Sequence, residues 1–216
     1  MRFAVLIWIA LLGLAAEVRE PKLRHELLRR EAKDQAAREA TLRFLERYGR
    51  NLRQEGSISK WDLPPQIGKA YIRLVHRVMA IDRGNQAWLA RALDRHGWPG
   101  RSLVGRDGAD AAWLIAQHAD RDVGFQGRCV EMMARMPLDE VDQALMANLT
   151  DRNAVNAKRN QIYGTQWELR DGRLVPSTPI EDEAHVDARR GARGLNPIRD
   201  YMADLRKKAG LASDER

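Results

Sequence analysis

Cysteine is nearly absent. Cys129 is the single one in 216 residues, which excludes an internal disulfide and any CxxC redox or zinc motif. With Phe125, Met132 and Met136 it falls on a helical stripe, so it is read as a core residue and a Cys-His nucleophile pair is disfavoured. Also missing are a P-loop, GxGxxG, HExxH and GxSxG, which removes the common nucleotide-binding, zinc-hydrolase and serine-hydrolase signatures. There is no fixed-period repeat, and no alternation of strands with helices that would imply a parallel sheet. No cofactor and no metal is expected, because the histidines lack local ligand spacing and a metal site would have to be assembled from distant segments.

Long apolar runs are scarce. The one present, Phe3 to Ala16, follows a single arginine and ends abruptly in charges. It is shorter than the roughly 20 residues of a spanning helix, and Gly13-Leu14-Ala15 or Leu14-Ala15-Ala16 offers a small-residue cleavage site. Residues 1–16 are therefore read as a secretory signal, with an uncleaved anchor or a buried first helix as alternatives, and the protein is expected to be exported to the periplasm or beyond. No cysteine stands at the end of the run, so lipoprotein processing is not indicated.

What is abundant is charge of both signs. Lysine and arginine number 37 against 30 acids, a net charge of +7. In stretches such as "RHELLRREAKDQAARE" the two signs interleave, which is the pattern of a solvated helix face. No RNA- or DNA-binding motif accompanies the basic excess, so nucleic acid is disfavoured as a partner.

The apolar spacing is mainly helical, and the fold class expected is mainly α: a compact multi-helix domain with one small β-hairpin and an N-terminal helical arm. The arm is placed at 17–56, the body at 57–210 and a tail at 211–216. "NLRQEGSISKWDLPP" separates arm from body, Pro64 and Pro65 start a second helix, and Asp82 caps a third that Gly97 and Pro99 stop. Further helices are expected at about 109–120, 124–136, 137–152, 182–193 and 197–208. The one hairpin signal lies near 161–176, where Asp171-Gly172 joins two short apolar or β-branched runs.

Two histidines end neighbouring helical stretches, in "RHGWPG" and "AWLIAQHAD". At about 100° per residue, His96 falls on the face of Leu89, Ala92 and Leu93, and His118 on that of Ala111, Leu114 and Ile115. Both are expected to point inward. Asn85 and Gln117 accompany them, and Arg152 continues the stripe Leu138, Val141, Leu145, Leu149, where an inward guanidinium demands an anionic partner. "YGTQW" adds the Tyr163 phenol, the Thr165 hydroxyl and the Gln166 amide. "DQAAR" sets Asp34 and Arg38 one turn apart, as an ion pair.

The segments "DQAAR", "DRGNQAWL", "HGWPGRSLVG", "GADAAWLIAQHADRD", "LTDR", "YGTQ" and "PIEDEAHVDARR" together resemble a bacterial family of unknown function, the DUF6624 type. The resemblance covers Asp34 to about Arg190. Its matching positions are Asp34, Gln35, Arg38, Asp82, Asn85, Trp88, His96, Trp98, Pro99, Gln117, His118, Asp120, Arg152, Tyr163, Thr165 and Gln166. It implies motif positions and no chemistry.

Two functions are compatible with this pattern. One is an exported enzyme, a hydrolase or transferase, in which His96 or His118 is general base or acid while Asn85, Trp98, Gln117, Asp120, Arg152, Tyr163 and Gln166 bind a small or peptide-like, anionic ligand. The other is a non-catalytic cell-envelope protein whose same residues form a buried network, with the N-terminal helix engaging a protein partner.

Overall fold

The computed structural model describes residues 18–53 and 64–211. The apolar run 3–16, the separating segment around 54–63 and the last five residues lie outside them. Helices dominate the described residues: α1 (Pro21–Arg53), α2 (Pro65–His96), α3 (Arg101–Gln117), α4 (Val123–Ala134), α5 (Gln143–Asn156), α6 (Val186–Gly191) and α7 (Ile198–Ala209). Strands β1 (Trp167–Arg170) and β2 (Arg173–Pro176) form the expected hairpin, Trp167 opposite Pro176 and Arg170 opposite Arg173. Asp171 and Gly172 both take positive φ, 50° and 74°, as a tight two-residue turn of this hand requires. No helix among the described residues is long and apolar enough to cross a membrane.

The first helix belongs to the body. Leu23, Leu27, Asp34 and Ala37 are buried, and Leu27 is fully so. They recur at helical spacing and face α3 and α2. Arg19 to Ser102, Arg24 to Asp107 and Asp34 to His118 are contacts between residues 83, 83 and 84 apart, so α1 and α3 run parallel in fixed register. Against α2 the direction reverses: Arg30 meets Asn85, Arg38 meets Asp82, and Phe44 stacks on Tyr71. The N-terminal helix thus packs along α2 and α3 over its first half, while Leu42 and Leu45 farther along α1 remain exposed.

Three other expectations change. The second and third expected helices are one, because no proline interrupts 66–96 and Gly84 is tolerated inside a long helix. Asp82 is thus a mid-helix side chain, not a cap. The fourth helix starts at Arg101 and kinks at Gly105, whose φ of 74° is open to glycine and strained for other residues. The sixth starts at Gln143, where Asp142 caps it by accepting from the Ala144 and Leu145 amides, and this leaves Leu138 74% exposed.

The core joins α1 to α5 through Leu27, Leu89, Leu93, Trp98, Val104, Ile115, Phe125, Cys129 and Leu149. Cys129 is fully buried there, and burial pushes its thiol up to about 12, so it is inert packing. Trp98 enters because the chain reverses at Gly97, φ 71°. His96, the last residue of α2, is left exposed by the same reversal.

Candidate active site

His118 is the residue immediately after α3, with backbone angles of −88° and 0°. The turn that holds it is fixed from behind. Fully buried Gln126 on α4 donates to the carbonyls of Ala116 and Gln117, and Asn156 on α5 donates to the Gln126 side-chain oxygen. Arg152 of α5 forks onto Asp120, with Nε at 2.7 Å from Oδ1, while its Nη1 donates to Gln166 at 3.3 Å. The AQHAD segment is therefore clamped by two other helices, with Asp120 bonded to α5 and His118 bonded to α1.

The His118 side meets α1 and α2. Nδ1 of His118 lies 2.9 Å from Oδ2 of Asp34, whose side chain is 3% exposed. Arg38, one turn along α1, bonds Asp34 at 3.1 Å and reaches across to Asp82 of α2 at 2.7 Å. Gln35 donates a further bond to Asp34. One ligand atom each from Asp34, Asp82 and His118 lies within 4.8 Å of the others.

The two carboxyls differ in proton affinity. Burial favours the neutral form of Asp34, but the hydrogen bond and charge of His118, with the charge of Arg38, outweigh it and hold Asp34 below the usual carboxylate range. Burial pushes Asp82 up to about 6 against the pull of Arg38, and the neighbouring Asp34 charge adds to the rise. Two carboxyls this close do not both ionise readily, and of the two Asp82 keeps its proton to the higher pH, about 6. Asp120 stands apart: burial raises it, but the Arg152 bond and charge and the Asn156 and Gln126 amides leave it lowered overall.

A cleft of about 190 Å³ opens on this cluster, lined by Asp82, His118 and Asp120, with Arg83, Gln86 and Arg121 around them. Among the described residues, no serine, threonine, cysteine or lysine lines it. With Nδ1 turned to a carboxylate, the other ring nitrogen of His118 is the one available for proton exchange. The Asp-Asp-His group also has the donor chemistry of a divalent-cation site. Arg38 already spans both carboxylates, which favours proton chemistry there.

Of the residues expected from sequence, His118, Asp120, Arg152 and Gln166 are brought together. His96 is not among them, and its inward placement is corrected: it is the last residue of α2 and is exposed, while the chain that follows turns at Gly97 to bury Trp98. Asn85 is buried on α2, accepting from Arg30 of α1 at 3.2 Å, and does not line this cleft. Trp98 is core. Gln117 is half-buried and touches the clamp through its backbone oxygen. Tyr163 is buried, its hydroxyl accepting from Arg193 and its carbonyl from Arg190, and it does not line the cleft.

Asp34, Arg38 and Asp82 appeared in the sequence reading only as motif positions, an ion pair and a cap. The available signal was positional: Asp34 sits in the stripe Leu23, Leu27, Ala37, where a carboxyl must be buried and therefore partnered. Asp151 was also passed over. Fully buried, it accepts from the amides of Ile162, Tyr163 and Thr165 and from the Thr165 hydroxyl, which fixes the YGTQ loop. Arg190, also fully buried, closes that loop by donating to the carbonyls of Tyr163 and Asn196.

Residues 21–214 match the profile of a family of unknown function. The chain belongs to the DUF6624 family. Comparison with curated proteins and with solved structures gives no match. The span shared with DUF6624 contains the whole cluster, from Asp34 to Gln166, as well as the residues that clamp it.

Proposed function

We propose that this DUF6624 protein is an acid-base enzyme, a hydrolase or transferase, acting in the His118 cleft on a small or peptide-like substrate that carries an anionic group. The observation that carries this reading is the 2.9 Å contact of His118 with buried Asp34, beside a second carboxyl, Asp82, that keeps its proton to about pH 6. Asp34 orients the ring and stabilises it when it becomes charged, the role of a carboxylate behind a catalytic imidazole. His118 takes the proton of a water or an acceptor hydroxyl as that oxygen attacks. Asp82 gives its proton to the departing group as the bond to that group breaks. With His118 as base and Asp82 as acid, and no serine, threonine, cysteine or lysine lining the cleft among the described residues, the attacking atom comes from solvent or from a second substrate. Arg83 and Arg121 at the rim supply the positive charge that an anionic substrate would meet.

The test is a panel of ester, phosphoester and peptide substrates with anionic groups, assayed on the unmodified protein, His118→Gln and Asp82→Asn. A turnover that falls at least 100-fold in His118→Gln without loss of melting temperature supports the proposal. Turnover that survives in both variants, or none across the panel, contradicts it. Dialysis against EDTA should leave activity intact; its loss would transfer the role of Asp34, Asp82 and His118 to a bound cation.

A non-catalytic envelope protein is the second reading, favoured by the Asp120–Arg152–Asn156–Gln126 network, which is bonded within the protein as a structural network would be. Both readings take the run Phe3 to Ala16 as an export signal. Intact-mass measurement of the secreted or periplasmic protein tests that, with loss of the first residues expected.

A further inference from the structure

A second cavity, of about 480 Å³, lies between α1 and α2, and no residue lines both it and the His118 cleft. Its polar wall is cationic: Arg29, Arg30, Lys33 and Arg77 line it, and among the described residues no acid does. Glu26 is spent on two of these, at 2.6 Å from Arg29 and 2.8 Å from Arg30. Lys33 and Arg77 have no acidic partner among the described residues. Arg91 adds its positive charge to the field at Arg30. An uncompensated group of cations around one concavity attracts and holds an anion.

Two neutral residues shape the same space. Asn85, 5% exposed, has its side-chain oxygen turned to Arg30, so the donor half of its amide is the half left for a ligand. Gly84 sits inside α2, where glycine weakens a helix. Neither packing nor backbone conformation accounts for it: its φ is not positive, and an added Cβ would meet nothing within 4 Å. What the missing side chain preserves is open cavity. Arg30 is held in place over the Trp88 ring, 4.5 Å from its centroid.

We propose that this cavity binds a phosphorylated small molecule bearing at least two negative charges. The volume suits a compact ligand, and lysine and arginine together with an amide donor are the groups that recognise phosphate oxygens. The site goes beyond the acid-base reading and does not depend on it.

The experiment is calorimetric titration of the full chain, at physiological salt, with inorganic phosphate, pyrophosphate and ATP. Saturable one-to-one binding of pyrophosphate or ATP is expected, weakened at least tenfold by Lys33→Glu and by Arg77→Glu. Lys208→Glu, which makes the same charge change on α7, should alter it less than twofold. Gly84→Leu should abolish binding without lowering the melting temperature, which separates a filled cavity from a damaged fold. The absence of saturable binding to all three probes overturns the proposal. An equal loss in Lys208→Glu also overturns it, because the attraction would then be that of net charge alone.

Discussion

His118 Nδ1 and Asp34 Oδ2 lie 2.9 Å apart although 84 residues separate them in the chain. The contact exists because α1 and α3 pack in parallel at a constant offset, set also by Arg24 on Asp107 and Arg19 on Ser102. The imidazole is thereby locked by one helix while it hangs from the end of another.

Breaking that lock exposes its cost. Asp34→Ala leaves Arg38 and His118 facing a buried gap, and the loss of one partner from a buried ionic group is expected to destabilise the fold by about 3 kcal/mol. Asp34→Asn keeps the shape and removes the charge, so it should cost less. Chemical denaturation of the three proteins checks the order, and equal stability of Asp34→Ala and the unmodified chain would refute it.

Asp82 predicts a pH dependence. Its folded value, about 6, stands above the ordinary 3.8, so the stability that it contributes is full below about pH 4 and is lost as pH rises through 6. Asp82→Asn cannot ionise. Relative to the unmodified protein, the variant should therefore gain stability from pH 4 to pH 7, by an amount on the order of 2 kcal/mol. Urea midpoints at the two pH values measure it. Asp34 has the opposite sign: its lowered value gives stability above the ordinary carboxylate range that is lost on acidification.

The two ends of HGWPG should behave oppositely. Trp98 is 4% exposed within the core, so Trp98→Ala is expected to cost about 3–5 kcal/mol. His96→Gln, at an exposed helix end, should stay within about 0.5 kcal/mol. Thermal melts of the pair distinguish this from a core in which both residues are buried.

Asp151→Asn is predicted to loosen the YGTQ loop. The amide can accept with one oxygen only and turns its NH₂ toward backbone donors, leaving at least one buried N–H unpaired at a cost of about 1–3 kcal/mol. Hydrogen exchange at the amides of Ile162, Tyr163 and Thr165 should quicken specifically. Unchanged protection there would contradict the role given to Asp151.

Much of this architecture is legible in the residues. Helical spacing located the main helices and the inward placement of His118, and Asp171-Gly172 marked the hairpin. The errors share a cause: helical angle gives direction around an axis and says nothing about what lies opposite. His96 has the same angular phase as the core face, but the chain turns away at Gly97 and leaves it in solvent. Asp82 has the residue type of an N-cap, but the helix runs through it. The pairing of Asp34 with His118 depends on the register of α1 against α3, which no local pattern encodes. A carboxyl on the buried stripe of α1 was the one trace of it.

The central claim is that Asp34, Asp82 and His118 form one proton-exchanging unit in which Asp82 holds a proton that Asp34 has lost. Carbon-13 NMR of the aspartate carboxyls across pH 3 to 8 tests it most directly, with Asp82→Asn used to assign the signal. The account predicts an Asp82 midpoint of about 6 and an Asp34 carboxyl already ionised below its ordinary range. An Asp82 that titrates with the ordinary surface aspartates, near 4, would contradict it.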